Sequence, residues 1–324
     1  MADGRFGRRE LLQSAAVAAL GHWVRGAHGQ TPGHAGQLTA YQLGPQVWVR
    51  HNGVTLTCYR AHPTQKYPYF HPLTGPATDI SVTAESAEPY PHHRSVFLAC
   101  DRLNGANYWQ EGLERGRIVS RGPTFEMAGA QVVIHDLGDW RAQDGSADVT
   151  DQRRFTLSAP SPQWRLLEAD LTLTAARDVT ILRTNHSLFS VRAAGELTPK
   201  GGGTLVNSAG LTGEAATFGQ PAAWCAFYGA RFGVTEGVAL MDHPENTWAP
   251  CPWFTRDYGF ISPTPMNWLP DAGLTLAQGN TLRLRYLVAA FAGTPEEAGL
   301  PGVYEAWAAQ TAQAPSPGRD AGTP

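Results

Sequence analysis

Hydrophobic and polar positions alternate with a period of two in segment after segment of this chain. Leu167-Glu168-Ala169-Asp170-Leu171-Thr172-Leu173-Thr174 alternates without a break, and Val54–Tyr59 and Thr281–Tyr286 do the same. Successive side chains of a strand point to opposite faces, so the pattern predicts strands with one face in a core and one facing polar surroundings. Gln46–His51, Val96–Cys100, Gln131–His135, Thr180–Phe189, Trp224–Tyr228 and Val238–Met241 are further strand candidates. One segment of the mature chain reads as a helix. Thr294 suits an N-cap, Pro295 the first helical position, and Glu296 and Glu297 the first turn; Val303, Tyr304 and Trp307 then keep helical spacing to about Gln310. The pattern predicts an all-β protein: a large, many-stranded antiparallel β-sandwich with long loops and a C-terminal helix.

Composition agrees. Gly (35) and Pro (24) are abundant and only 16% of residues are charged, as in a loop-rich β protein. Gly201-Gly202-Gly203 reads as a tight connection, because it lacks the strand–GxGxxG–helix context of a nucleotide loop. At the N-terminus, Gly7-Arg8-Arg9-Glu10-Leu11-Leu12, a short apolar run over Ala15–Leu20 and then Ala27-His28-Gly29 follow the order of a twin-arginine signal. The expectation is a Tat leader over residues 1–29, a single sandwich domain over 30–312 and a disordered Pro/Gly/Ser-rich tail over 313–324. The Tat machinery would be a partner, and the product periplasmic or secreted. No other stretch approaches the ~20 apolar residues of a membrane span.

The formal charge is −3, and loss of the leader leaves 21 basic and 26 acidic residues, or −5. That balance argues against nucleic acid and anionic membranes as partners. The four cysteines, Cys58, Cys100, Cys225 and Cys251, match no zinc spacing. Buried thiols are expected, with a Cys225–Cys251 bridge as the alternative.

Two polar clusters carry the candidate chemistry. Tyr90-Pro91-His92-His93-Arg94-Ser95 lies before the Val96–Cys100 strand. Two imidazoles can exchange protons near neutral pH, and a guanidinium can hold a carboxylate or an oxyanion. In an extended segment neighbouring side chains face opposite ways, so one histidine would face the site and the other support the loop. Far downstream come Asp242-His243-Pro244-Glu245-Asn246 and Trp253-Phe254-Thr255-Arg256-Asp257-Tyr258. The two are expected to be halves of one site. His92 or His93 would be a general base, His243 an acid or second base, Arg94 and Arg256 charge stabilisers, and Tyr258 a proton donor. Tyr69, His71, Trp109, Glu111, Asn246 and Trp253 are the substrate-binding candidates, aromatic faces suiting sugar rings. A divalent metal is compatible with His71, His92, His93, His243 and a carboxylate, and no ligand spacing requires it. The cofactor is therefore left unknown.

Tyr69-Phe70-His71-Pro72-Leu73, Pro91-His92-His93-Arg94, Asn104-Gly105 with Tyr108-Trp109, Gly202–Gly210, Ala223–Gly229, Gly237–Asn246 and Trp253–Gly259, in that order, resemble the bacterial PmoA-like family, a domain of unknown function labelled "methane oxygenase PmoA". The resemblance spans about residues 38–310. It implies a super-sandwich of the galactose-mutarotase type and an association with sugar catabolism. A methane monooxygenase subunit needs several membrane spans, which this chain lacks. The chain departs from the family pattern at Phe97–Leu103 and Pro263–Met266. The leading expectation is an exported carbohydrate-active enzyme, a lyase or hydrolase acting on a glycoside or oxidised sugar. A non-catalytic sugar-binding protein and a mutarotase-like epimerase are the alternatives.

Overall fold

The computed structural model describes residues 36–110 and 112–310. Strands are numbered in chain order. One antiparallel sheet has the spatial order β1 (Leu38–Leu43), β2 (Gln46–His51), β3 (Val54–Arg60), β4 (Tyr69–Leu73), β5 (Val96–Cys100), β12 (Ser187–Arg192), β17 (Phe260–Pro263) and β16 (Trp253–Arg256). The second runs β13 (Thr204–Asn207), β14 (Trp224–Arg231), β15 (Val234–Asp242), β19 (Thr281–Ala292), β10 (Trp164–Ala175), β9 (Ala147–Ser161), β8 (Gln131–Arg141) and β6 (Arg117–Ser120), with β7 (Thr124–Ala128) also on β8. A small ladder joins β11 (Val179–Ile181) to β18 (Leu274–Leu276). The protein is all-β, as its alternation predicts.

The period-2 pattern of β10 sets its faces. Leu167, Leu171 and Leu173 are buried in the main core, while Glu168, Asp170, Thr172 and Thr174 are half-buried. Leu167 lies opposite Leu157 of β9 and Val288 of β19, and Leu171 opposite Leu284. The core between the sheets contains Tyr59 of the first sheet and Phe155 of the second with ring centroids 5.3 Å apart. A polar tie crosses the same interior: Tyr59 donates to Asp136 at 2.7 Å, and Arg153 pairs with Asp151 at 2.6 Å.

The C-terminal helix is broken in two. Pro295–Ala298 (α2) begins with a complete capping box between Thr294 and Glu297; Gly299 then takes a left-handed conformation, and Leu300–Ala308 (α3) follows. An additional short helix, Glu214–Thr217 (α1), was not foreseen. Leu300 and Trp307 bury a second apolar cluster against Trp164, Trp224, Met241, Leu287 and Phe291 on the other face of the second sheet. That cover explains why β19 and β15 read as nearly continuous apolar runs. All four cysteines are buried thiols, so the alternative Cys225–Cys251 bridge is not formed. Buried Cys58 also has its thiol pKa pushed up to about 12 by burial. The expected leader and tail lie outside the described residues.

Thr180–Phe189 departs from its predicted strand. It splits into β11 and β12, separated by a non-strand stretch, Leu182–His186. Removing the α3 anchor tests the second cluster: Trp307→Ala should cost about 3–5 kcal/mol of unfolding free energy, read by urea denaturation.

Candidate functional site

Pro91 sits inside a turn in which the His93 N–H donates to the Tyr90 carbonyl at 3.0 Å. The paired histidines are therefore in a turn, whereas the sequence argument assumed an extended segment. The two rings have different surroundings, His93 buried and His92 half-buried. Their rings meet edge to face at 4.6 Å, and the Tyr67 hydroxyl holds the loop by donating to the His92 carbonyl. Ser95, in a left-handed conformation, leads into β5 and bonds Thr83 at 2.7 Å.

His93 packs among rings: Phe260 at 4.6 Å, Tyr258 at 6.2 Å, Trp109 at 6.2 Å and Phe97 at 6.3 Å. Its Nδ1 is buried without a hydrogen-bond partner. Burial first, then the nearby His92, Arg192 and His186, push its pKa down to about 2. A ring held neutral in this way is a poor proton acceptor at neutral pH. His92 is the less buried member of the pair. Tyr258 reaches the same cluster from the β16–β17 turn, its ring 4.8 Å from Tyr90 and beneath the Arg192 guanidinium at 4.5 Å. Burial raises its pKa to about 12, so it remains a hydroxyl.

Among the described residues the shortest histidine–carboxylate contact lies outside the expected site residues. β5 and β12 run antiparallel with Cys100 opposite Ser187. Asp101 and His186, the next residues outward, therefore face each other, and His186 Nδ1 lies 2.8 Å from the Asp101 carboxylate. The Thr184 hydroxyl donates to the other oxygen of Asp101. Trp109 stacks on the His186 ring at 5.4 Å, and His92 stands 6.2 Å from it. With Nδ1–H donated to Asp101, Nε2 is left as a proton acceptor. Asp101, Thr184, Asn185, His186 and Asn267 line a cavity of about 570 Å³ with Arg102, Arg183 and Asp271. The run Arg183-Thr184-Asn185-His186 was the available signal, four polar residues inside a stretch read as strand.

The other expected site residues are placed as follows. Arg94 donates to Ser86 at 2.5 Å and stands 3.9 Å from Glu85. Glu85 also binds Arg60 at 3.1 Å, accepts from Tyr69, and lies 3.6 Å from His71, whose pKa burial lowers. Tyr69 is buried with its pKa raised by burial to about 12, so it offers no open aromatic platform. Trp109 is also buried, as a wall of the histidine cluster rather than an exposed face. Glu111 lies outside the described residues.

The expected convergence of two clusters is corrected for most of the downstream half. His243 is fully buried against Trp307, ring centroids 4.8 Å apart, with Nε2 2.9 Å from Arg285 and Nδ1 accepting from the Glu245 N–H. Burial and Arg285 push its pKa down to about 4. Asn246 is spent on Asp242 and on both backbone groups of Arg285. Burial raises the neighbouring Asp242 to about 6. Trp253 is buried, donating to the Ala222 carbonyl at 2.8 Å. Arg256 pairs with Glu214 at 3.2 Å and lies over Phe254 and Phe218. These groups anchor loops and the C-terminal helix, and only Tyr258 reaches the His92/His93 cluster through the ring contacts above. Among the described residues no three His, Cys, Asp or Glu side chains are grouped to hold a metal ion.

Fold and site together define an all-β sandwich with a histidine-rich acid–base cluster at the edge of a polar cavity. The chain belongs to a family of unknown function, DUF6807, which matches residues 46–305. That match does not by itself carry the PmoA-like label expected from the motifs. No curated protein matches the sequence. A solved structure of a proposed aldose 1-epimerase from Escherichia coli K12 is similar at 13% identity, covering 79% of this chain and 99% of the other, with a TM-score of 0.34. No helix among the described residues is long and apolar enough to cross a membrane.

His93 makes stability depend on pH. The unfolded ring binds a proton near pH 6.5, whereas the folded ring resists it until about 2. Its contribution is complete above 6.5 and falls by about 1.4 kcal/mol per pH unit below that. His93→Gln should flatten the loss of melting temperature between pH 6.5 and 4, measured against the unaltered protein.

Proposed function

We propose that the protein is a carbohydrate-active enzyme that moves protons on a sugar bound in the cavity beside His186. The carrying observation is the Asp101–His186 pair, 2.8 Å apart at the cavity wall, with the second imidazole of His92 6.2 Å away. Two imidazoles at that spacing supply an acid and a base to one small substrate. Asn185, Asn267 and Thr184 provide donors and acceptors suited to hydroxyl groups.

The simplest reaction for this set is mutarotation, which supports the epimerase reading over a lyase or hydrolase. The base removes the proton of the anomeric hydroxyl, the C1–O5 bond opens, and the acid protonates the ring oxygen. Rotation and the reverse steps return the other anomer, with no redox change and no co-reactant. Asp101 acts by orienting His186 and stabilising its cationic form. A retaining hydrolase needs two carboxylates about 5 Å apart across the substrate. Glu214 and Glu245 are instead paired with Arg256 and Arg285. A binding protein held by aromatic platforms is disfavoured because Tyr69, Trp109 and Trp253 are all buried.

The site would lie in a periplasmic or secreted protein if residues 1–29 act as the twin-arginine leader. Polarimetry of freshly dissolved aldoses tests the chemistry. His186→Ala should lower the catalysed rate by about 10²–10⁴, and Asp101→Asn should lower it with a smaller change in KM than in kcat. Unchanged rates in both variants would remove His186 from the reaction.

A further inference from the structure

Five arginines are buried among the described residues: Arg153, Arg165, Arg192, Arg231 and Arg285. Four of them pair with a carboxylate: Arg153 with Asp151, Arg165 with Asp79, Arg231 with Glu236, and Arg285 with Glu168. Arg192, only 3% exposed, has no carboxylate partner among the described residues. Its Nη2 donates to the Glu88 carbonyl at 3.0 Å, while Nε and Nη1 are buried with no hydrogen-bond partner. A buried guanidinium left this way is costly unless something else supplies its anion. The Tyr258 ring face attracts the charge at 4.5 Å and leaves the N–H groups at its edge unbonded.

The surroundings repeat the same sign. Lys200, exposed at the surface, holds its ammonium 5.9 Å from the Tyr258 ring. The electrostatic influences on Arg192 come from Tyr258 and Tyr90, and no acid is among them. Tyr90, 38% exposed and 4.8 Å from Tyr258, closes the cluster from outside. Its loop also carries Glu88, whose carbonyl holds Arg192. The geometry gives a buried cation behind the partly exposed Tyr90 ring, next to the histidines.

We infer that Arg192, with Lys200, is the carboxylate subsite of this cluster, so that the preferred ligand is an acidic sugar, a hexuronate, rather than a neutral aldose. The inference rests on the sugar reading above and names its substrate class. The uronate carboxylate takes the place of the missing acid, accepting from the unbonded Nε–H once Tyr90 gives way, while the ring extends toward His92. A planar carboxylate matches the planar guanidinium better than a hydroxymethyl group, which brings no charge.

Isothermal titration of the full chain with D-glucuronate and D-galacturonate, against D-glucose, D-galactose and methyl D-galacturonate ester, tests the inference without a variant. Binding of the uronates at least roughly ten-fold tighter than that of the neutral sugars and the ester is expected. Equal affinity across the panel, or no uronate binding, would overturn it. Arg192→Gln should abolish the preference, and Lys200→Gln, a surface change, should reduce it and make its loss with salt shallower. Retention of the full preference in Arg192→Gln would also overturn the subsite. The two proposals separate by readout. If uronates bind selectively and no anomer exchange is catalysed, the subsite stands and the mutarotation reading fails. If neutral sugars are turned over without any uronate preference, the reverse holds.

Discussion

The register of β5 on β12 is the constraint on which the site depends. Cys100 faces Ser187 at one end of the pair and Val96 faces Val191 at the other. That alignment sets Asp101 against His186 beyond one end and brings Arg192 alongside the Ser95 segment at the other, where Arg192 N–H donates to the Ser95 carbonyl at 2.7 Å. A slip of one residue would turn alternate side chains to the opposite face and separate the carboxylate from the imidazole. The register is secured by burial, because every residue of both strands is buried. The placement of Asp101 beside His186 is thus set by a buried strand pair rather than by the loops themselves.

Within this frame the interior sorts charge in two ways. Acids and arginines deep in the sandwich are neutralised by each other, as in Arg153–Asp151, which also receives the Trp140 indole N–H at 2.7 Å. Breaking such a pair would leave one charge stranded in a low dielectric, so both members are held together. Histidines in apolar surroundings are instead kept uncharged, His93 among aromatic rings and His243 beneath Trp307. His186 differs from both. It keeps a carboxylate at its Nδ1 and one side toward the cavity.

The fold was legible because alternation is a local property. β2 and β5 coincide with their predicted bounds, and the Thr294–Pro295 start of the C-terminal helix was read from its cap residues alone. The helix break at Gly299 was not, since its position depends on packing Leu300 and Trp307 onto the second sheet. The site was legible only in part. The histidine pair and Tyr258 carry their own chemical signal and do meet. His186 was hidden inside an apolar-looking stretch, and its importance comes from a partner 85 residues away that only strand pairing reveals. His243 shows the converse error. A polar group at a strand end looks reactive in sequence, yet the helix that buries it is more than 50 residues further along.

That second error exposes an asymmetry between the two sheets. The nine-stranded sheet has part of its outer face covered by α2 and α3, so the polar residues at the end of β15 become anchors: Arg285 donates to the Gln310 carbonyl at 3.0 Å and contacts His243 and Glu245. Among the described residues no α-helix packs on the β5–β12–β17 centre of the eight-stranded sheet. There the connections before β5, after β5 and before β12 fold over the strand ends, and the turn between β16 and β17 adds Tyr258. Irregular backbone at that end must satisfy its own hydrogen bonds, and it does so by donation from Tyr67 to the His92 carbonyl, from the His186 N–H to Thr184 Oγ1 and from Arg192 to the Glu88 carbonyl. Bonds that hold the loops are therefore the same bonds that aim the side chains. This is why Asp101, His92, His93, His186 and Tyr258 gather on one sheet, while polar residues such as Arg285 and His243 on the other fasten a helix.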